Sequence, residues 1–265
     1  MHVHLLRKWL LAAVWLLSAG GAMAAPVPLA LTITGTVALD SLNSAAALSG
    51  ASQAGTLWHY NAGVPTSSSF TGNPAGLLPS SLSGALTATG DGIGVNFSMA
   101  GATIGAENSI GLFADYTLSL SNSSAVETFT IVFRALISNV VGASGADAFA
   151  FSDLSVLDAS STEVLFSDHR IDTFNAGNNL NLDSASNSFS VVLSPGASTT
   201  FTALQKQRGG VYADGQFSAN LDAFLSVDSV SSSGAGNAVP LPGSLALVVL
   251  ALGALALARR RKVAG

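Results

Sequence analysis

The chain contains no cysteine. That excludes a disulfide framework, a thiolate zinc site and a cysteine nucleophile. Charge is scarce as well: Asp, Glu, Lys and Arg make up 9% of the residues. Six of the ten Lys and Arg residues lie at the two ends: Arg7, Lys8, Arg259, Arg260, Arg261 and Lys262. The other four, Arg134, Arg170, Lys206 and Arg208, stand among fifteen acidic residues, so the body carries a net charge of −11. Such a body repels a polyanion, which argues against a nucleic-acid partner. Several catalytic signatures are missing too. There is no Gly-x-Ser-x-Gly elbow, no His-Glu-x-x-His, no phosphate-cradling loop and no complete dinucleotide fingerprint. Gly90-x-Gly92-x-Gly94 has part of the last, but it falls between strand-like segments and reads as a turn.

Long apolar runs are confined to the ends. At the N-terminus, Arg7 and Lys8 precede an apolar core from Trp9 to Leu17. Ala22-Met23-Ala24 then has the small-x-small pattern of a signal-peptidase site, with cleavage expected before Ala25. The core is too short to span a bilayer, so residues 1–24 are expected to be a removed signal peptide. At the C-terminus, Val239-Pro240-Leu241-Pro242-Gly243 precedes an apolar run ending at Ala258, and Arg259-Arg260-Arg261-Lys262 follows. From Pro242 to Ala258 a helix would extend roughly 25 Å, a marginal span of a bilayer. Pro242 suits a first helical turn, and the basic cluster keeps the tip on the cytoplasmic side. The two ends therefore agree on one topology, with the body outside.

The order of Val239-Pro240-x-Pro242, apolar helix and basic finish resembles the PEP-CTERM sorting signal of bacterial envelope proteins. Where that family usually has Glu between the prolines, this chain has Leu241. The resemblance covers about Val239 to Lys262. It implies processing close to Pro240–Gly243 by an exosortase, a membrane cysteine protease-transpeptidase. It also implies anchoring in the inner membrane before release to the cell envelope or extracellular space, and an association with exopolysaccharide. The segment from Tyr116 to Val230 is loosely similar to the bodies of such proteins, through Tyr116-Thr117-Leu118, Pro195-Gly196 and Asp214-Gly215-x-Phe217.

Helical periodicity is nearly absent from Pro26 to Val239, and short alternating runs dominate. Ile110–Leu120 and Glu127–Phe133, joined by Ser121-Asn122-Ser123-Ser124, read as a hairpin. Leu29–Leu39, Ala85–Thr89, Ile93–Met99, Ala148–Leu157, Thr162–Phe166, Ser188–Leu193, Thr199–Leu204 and Gln216–Val227 also read as strands. Ser194-Pro195-Gly196 reads as a turn between two of them. Ser41–Ser83 is rich in Ser, Ala, Gly and Pro and reads as a long loop pinned by Trp58 and Tyr60.

The expected fold is all-β: one antiparallel sandwich or jelly-roll-like domain over residues 25–230. A linker follows at 231–238, then the sorting tail at 239–265 with a membrane helix at 243–258. Alternation selects Leu118, Leu120, Phe129, Ile131, Phe133, Val191, Leu193, Phe217, Leu221 and Phe224 as core.

Candidate chemistry is sparse. Asp168-His169-Arg170 could supply a base, but neighbours on an extended chain point to opposite faces, so a solvated turn with a local ion pair fits better. His59, between Trp58 and Tyr60, reads as a packing residue or part of a sugar-stacking patch. Asp172–Asp183 is rich in oxygen donors but has Phe174 and Ala176 where an EF-hand needs ligands, so a polar turn without metal is expected. No catalytic, cofactor or metal site is assigned. The expected function is a non-enzymatic structural or adhesive protein of the envelope or an exopolysaccharide matrix. A glycan-binding module is the alternative, favoured if Trp58 is exposed; a secreted hydrolase comes third.

Overall fold

The computed structural model describes residues 24–47, 49–74, 79–103 and 108–233. The sorting motif from Val239 to Gly243, the helix at 243–258, the basic stop and Ala22 lie outside them.

Thirteen strands run in chain order: β1 (Leu31–Leu39), β2 (Ala51–Asn61), β3 (Val64–Thr71), β4 (Ser81–Ala85), β5 (Gly92–Thr103), β6 (Asn108–Asn122), β7 (Thr128–Gly145), β8 (Ala148–Leu157), β9 (Glu163–Asp172), β10 (Leu180–Asp183), β11 (Ser188–Leu193), β12 (Ser198–Val211) and β13 (Gly215–Ser233). They form two antiparallel sheets. The larger has the order β10-β9-β8-β12-β6-β1-β4, the smaller β11-β7-β13-β5-β2-β3. Among the described residues there is no α-helix; a short 3-10 turn at Ala176–Asn178 lies between β9 and β10. The all-β sandwich is thus present.

Alternation drives the packing. In β1 every odd residue from Leu31 to Leu39 is buried, and the same period runs through β7, β8, β12 and β13. The inward faces of both sheets merge into one apolar core. Phe133 stacks on Phe189 of its own sheet at 5.3 Å and meets Phe201 of the other at 6.1 Å. Two buried polar groups pin the sheets against each other. The Tyr116 hydroxyl donates to Gln205 Oε1 at 2.5 Å, and Gln205 Nε2 donates to the Leu221 carbonyl of the smaller sheet at 3.1 Å. Burial pushes the Tyr116 phenol well above its ordinary range, so it stays a donor.

Several expectations need correction. Ile110–Leu120 and Glu127–Phe133 are strands but do not form a hairpin, because β6 belongs to the larger sheet and β7 to the smaller. The turn between them is a crossover. Asn122 ties it to the β11–β12 crossover by donating to the Glu127 carbonyl at 2.7 Å and the Ser194 carbonyl at 3.0 Å. Alternation could not reveal this, since paired and facing strands bury the same parity. Ser41–Ser83 is not a long loop: it contains β2, β3 and the start of β4. Its strands are made largely of Ser, Thr, Ala and Gly. Pro65 is tolerated because β3 is a sheet edge.

Of the expected core, Val191 is only partly buried, and Phe224 points outward. Ser231–Ser233 end β13 instead of opening a linker. Gly90 makes the expected turn at φ +90°, whereas Gly92 and Gly94 lie within β5.

Candidate functional site

The residues singled out from sequence do not converge. Asp168 and His169 are in β9, not in a turn, and they do face opposite ways. Asp168 holds Arg170 through two hydrogen bonds, Nε at 2.8 Å and Nη2 at 2.6 Å. His169 Nε2 instead approaches Asp183 at 3.2 Å. Burial opposes the charge on Asp183, but hydrogen bonds from Ser167 and His169 hold its carboxyl below the ordinary value. This pair borders a cleft of about 650 Å³ that also meets Asn139, Leu136, Asp222 and Phe224. No serine hydroxyl bonds to His169 among the described residues. His59 is buried in β2, with its ring against Gly84.

The Asp172 loop is self-satisfied. The carboxylate of Asp172 accepts from the backbone of Phe174 at 3.0 Å and Asn175 at 2.9 Å, and from the Asn178 amide at 2.9 Å. Among the described residues no three His, Asp or Glu side chains gather as a metal site. A depression of about 760 Å³ lined by Gly50, Ala100, Gly142 and Ser218 carries no titratable side chain.

The outer face of the smaller sheet has a different character. Trp58, 37% exposed, stands across from Gly94, which in turn pairs with Phe224. Tyr60, one same-face step from Trp58, meets the Phe224 ring edge-on at 6.4 Å and 88°. The ring of Phe224 lies over the β5 glycines. A Cβ at Gly94 would come within 2.8 Å of the ring and 2.6 Å of the Ala223 carbonyl oxygen. The missing side chains are what let the ring lie down there.

The next row is wholly polar. It runs Ser69, Thr56, Asn96, Asp222 across the four strands. Ser69 and Thr56 share a hydrogen bond of 2.9 Å. An aromatic row beside a polar row, about 7 Å apart on one pleated face, can hold a sugar ring. Its C–H face packs on the rings and its hydroxyls meet the polar side chains. Sequence reasoning named Trp58 and Tyr60 but put Phe224 in the core. The signal it missed is the pairing of two β5 glycines with the Phe224 segment, which only the register supplies.

No protein-family model matches the chain, and no curated protein matches it. Among solved structures, the chain is similar to the VP2 subviral particle of infectious bursal disease virus at 12% identity and a TM-score of 0.19, covering 81% of this chain and 58% of that one. It is similar to a GH31 alpha-xylosidase from Xanthomonas citri at 11% identity and a TM-score of 0.19, covering 78% and 19%. Triatoma virus gives 10% identity and a TM-score of 0.16, covering 42% and 49%. The chain spans little more than half of the VP2 chain. Similarity at this level carries no statement about function.

Proposed function

We propose that this is an exported, non-catalytic bacterial envelope or extracellular protein whose β-sandwich binds saccharide on the outer face of its smaller sheet. The observation that carries the binding reading is the row Trp58–Gly94–Phe224 with Tyr60 beside it, next to a polar row. In this reading the signal peptide exports the chain, the C-terminal helix holds it in the inner membrane, and an exosortase-type enzyme processes it near Pro240–Gly243. The body then adheres to an exopolysaccharide. Cleavage before Ala25 would leave the body's first contacts whole. The Ala25 nitrogen donates to Thr89 Oγ1 at 2.9 Å, and Pro26 bridges Ala88.

A glycan array tests the binding. The exported protein should bind neutral oligosaccharides, and Trp58→Ala should lower that signal at least tenfold while keeping the melting temperature within a few degrees. Equal signals from both proteins would remove the reading. Delivery is tested by intact mass of extracellular material. The expected product starts at Ala25 and ends near Pro242; a full-length C-terminus would overturn the sorting proposal.

A further inference from the structure

The larger sheet turns outward a second surface, independent of the aromatic row. Across β9, β8, β12 and β6 the register places Arg170, Phe151, Arg208 and Gly111 in one row. The next row is Asp168, Asp153, Lys206 and Phe113. Three of the four cations of the acidic body therefore meet in one place. Together with the two Asp and two Phe residues they line a cleft of about 270 Å³.

Internal pairing leaves donors over. Arg170 gives two N–H groups to Asp168. Lys206 Nζ stands 3.6 Å from Asp153 Oδ2, beyond a good hydrogen bond. Arg208 lays its guanidinium 5.2 Å above the Phe113 ring. Among the described residues no carboxylate or carbonyl accepts from it. An acceptor is left over as well: Asp153 Oδ1 is closed off from solvent, but Oδ2 takes no donor closer than Lys206 at 3.6 Å among the described residues. Burial pushes the Asp153 carboxyl upward, and Lys206 only partly offsets this.

We propose that this cleft binds a uronate residue of a saccharide, its carboxylate on Arg208 and Lys206 and a ring hydroxyl on Asp153 Oδ2. A planar guanidinium takes a carboxylate through two parallel hydrogen bonds, and stacking on Phe113 holds the fork in place. Lys206, on the same face one step along β12, adds a point charge. The acceptor beside the donors is what selects a hydroxylated carboxylate over a bare one. The cleft volume lies just below the range of small-molecule sites, which fits a single ring. The net charge of −11 disfavours a densely charged polymer, so the ligand is a saccharide in which uronates are sparse. With the aromatic row on the opposite sheet, one sandwich then holds two saccharide sites facing away from each other.

The test is titration of the exported protein with cellobiouronate and with cellobiose, following amide chemical shifts. Cellobiouronate should move the amides around Arg208 and Lys206, and Arg208→Gln should weaken its binding at least tenfold. The amides around Arg208 and Lys206 should titrate with their own midpoint, distinct from any around Trp58, which separates this site from the aromatic row. Arg208→Lys, which keeps the charge and the stem over Phe113 but loses the fork, should fall in between. Shifts at the cleft from cellobiose equal to those from cellobiouronate would overturn the proposal. So would unchanged cellobiouronate binding in a folded Arg208→Gln protein. Acetate displacing cellobiouronate at equal concentration would overturn the role of Asp153. Tighter binding per uronate by polygalacturonate would overturn the preference for sparse charge.

Discussion

The outer faces of the two sheets are built on strands with the same inward alternation, yet Trp58 and Phe224 on one stand in different surroundings from Phe113 and Phe151 on the other. On the smaller sheet the Phe224 ring lies over glycine, and Trp58 is partly exposed with no cation over it among the described residues. On the larger sheet two Phe rings are capped by guanidinium groups, Arg170 over Phe151 at 5.9 Å and Arg208 over Phe113 at 5.2 Å, while Phe149 beside them lies over Gly210 and stacks on Tyr212. An open ring offers an apolar platform; a capped ring offers the cation above it. The difference comes from cross-strand neighbours. Trp58 and Phe224 each pair with Gly94, whereas Phe151 pairs with Arg170 on one side and Arg208 on the other. Whether a surface ring is capped thus depends on the residues opposite and diagonal to it in the register: Phe113 has Lys206 opposite and Arg208 on the diagonal.

This contrast can be broken at once by removing what both faces share. Phe133→Ala takes a ring from the core between the sheets and should cost about 3–5 kcal/mol. The melting temperature should drop, and binding at both faces should disappear at the same temperature. Separate losses would mean that the sheets unfold independently.

A smaller effect distinguishes the floors of the two faces. A Cβ at Gly94 would overlap the Ala223 carbonyl oxygen at 2.6 Å, while one at Gly111 would meet only the edge of Phe113 at 3.1 Å. Gly94→Ala should cost about 1–3 kcal/mol, as overpacking does. Gly111→Ala should cost well under that, because the Phe113 ring can shift. Denaturant midpoints give the order, and the reverse order would contradict the packing described.

Charge should matter less than packing. The Asp168–Arg170 pair is partly exposed, with 22% and 42% of the side chains accessible. A double-mutant cycle with Asp168→Asn and Arg170→Gln should show a coupling of about 0.5–1 kcal/mol that shrinks in high salt.

The smallest effect belongs to Asp172 in the exposed loop after β9. The Asn175 backbone N–H and the Asn178 amide hold its carboxyl below the ordinary 3.8. The folded form releases its proton more readily than the unfolded chain. Its stabilising effect is therefore complete above 3.8 and is lost as the pH falls through the lowered value. Asp172→Asn should lower the melting temperature slightly at pH 7, and the difference should close on acidification below pH 3.8. A difference that grows in acid would contradict the hydrogen bonding described.

Strand identity was legible wherever large apolar residues alternate with polar ones. Ala148–Leu157 and Ser188–Leu193 match strand for strand. It was illegible in β2 and β3, where Ser, Thr, Ala and Gly blur the alternation, and their partners in the sheet decide the conformation. For the site, Trp58 and Tyr60 were readable as a patch. Phe224 was not, because Leu225, Ser226 and Val227 are buried in succession and break the parity just after it.

The order of residues by itself determined that this is an acidic, cysteine-free, strand-forming chain with an apolar segment near each end. Those properties depend on local composition and period, which any stretch carries regardless of its neighbours. The tertiary structure alone decided which strands share a sheet, that Phe224 faces solvent beside Trp58, and that Arg170, Lys206 and Arg208 meet. Each of these is a pairing between distant segments, chosen by whether glycine, ring or charge fits opposite across a ladder, and no local pattern encodes that choice.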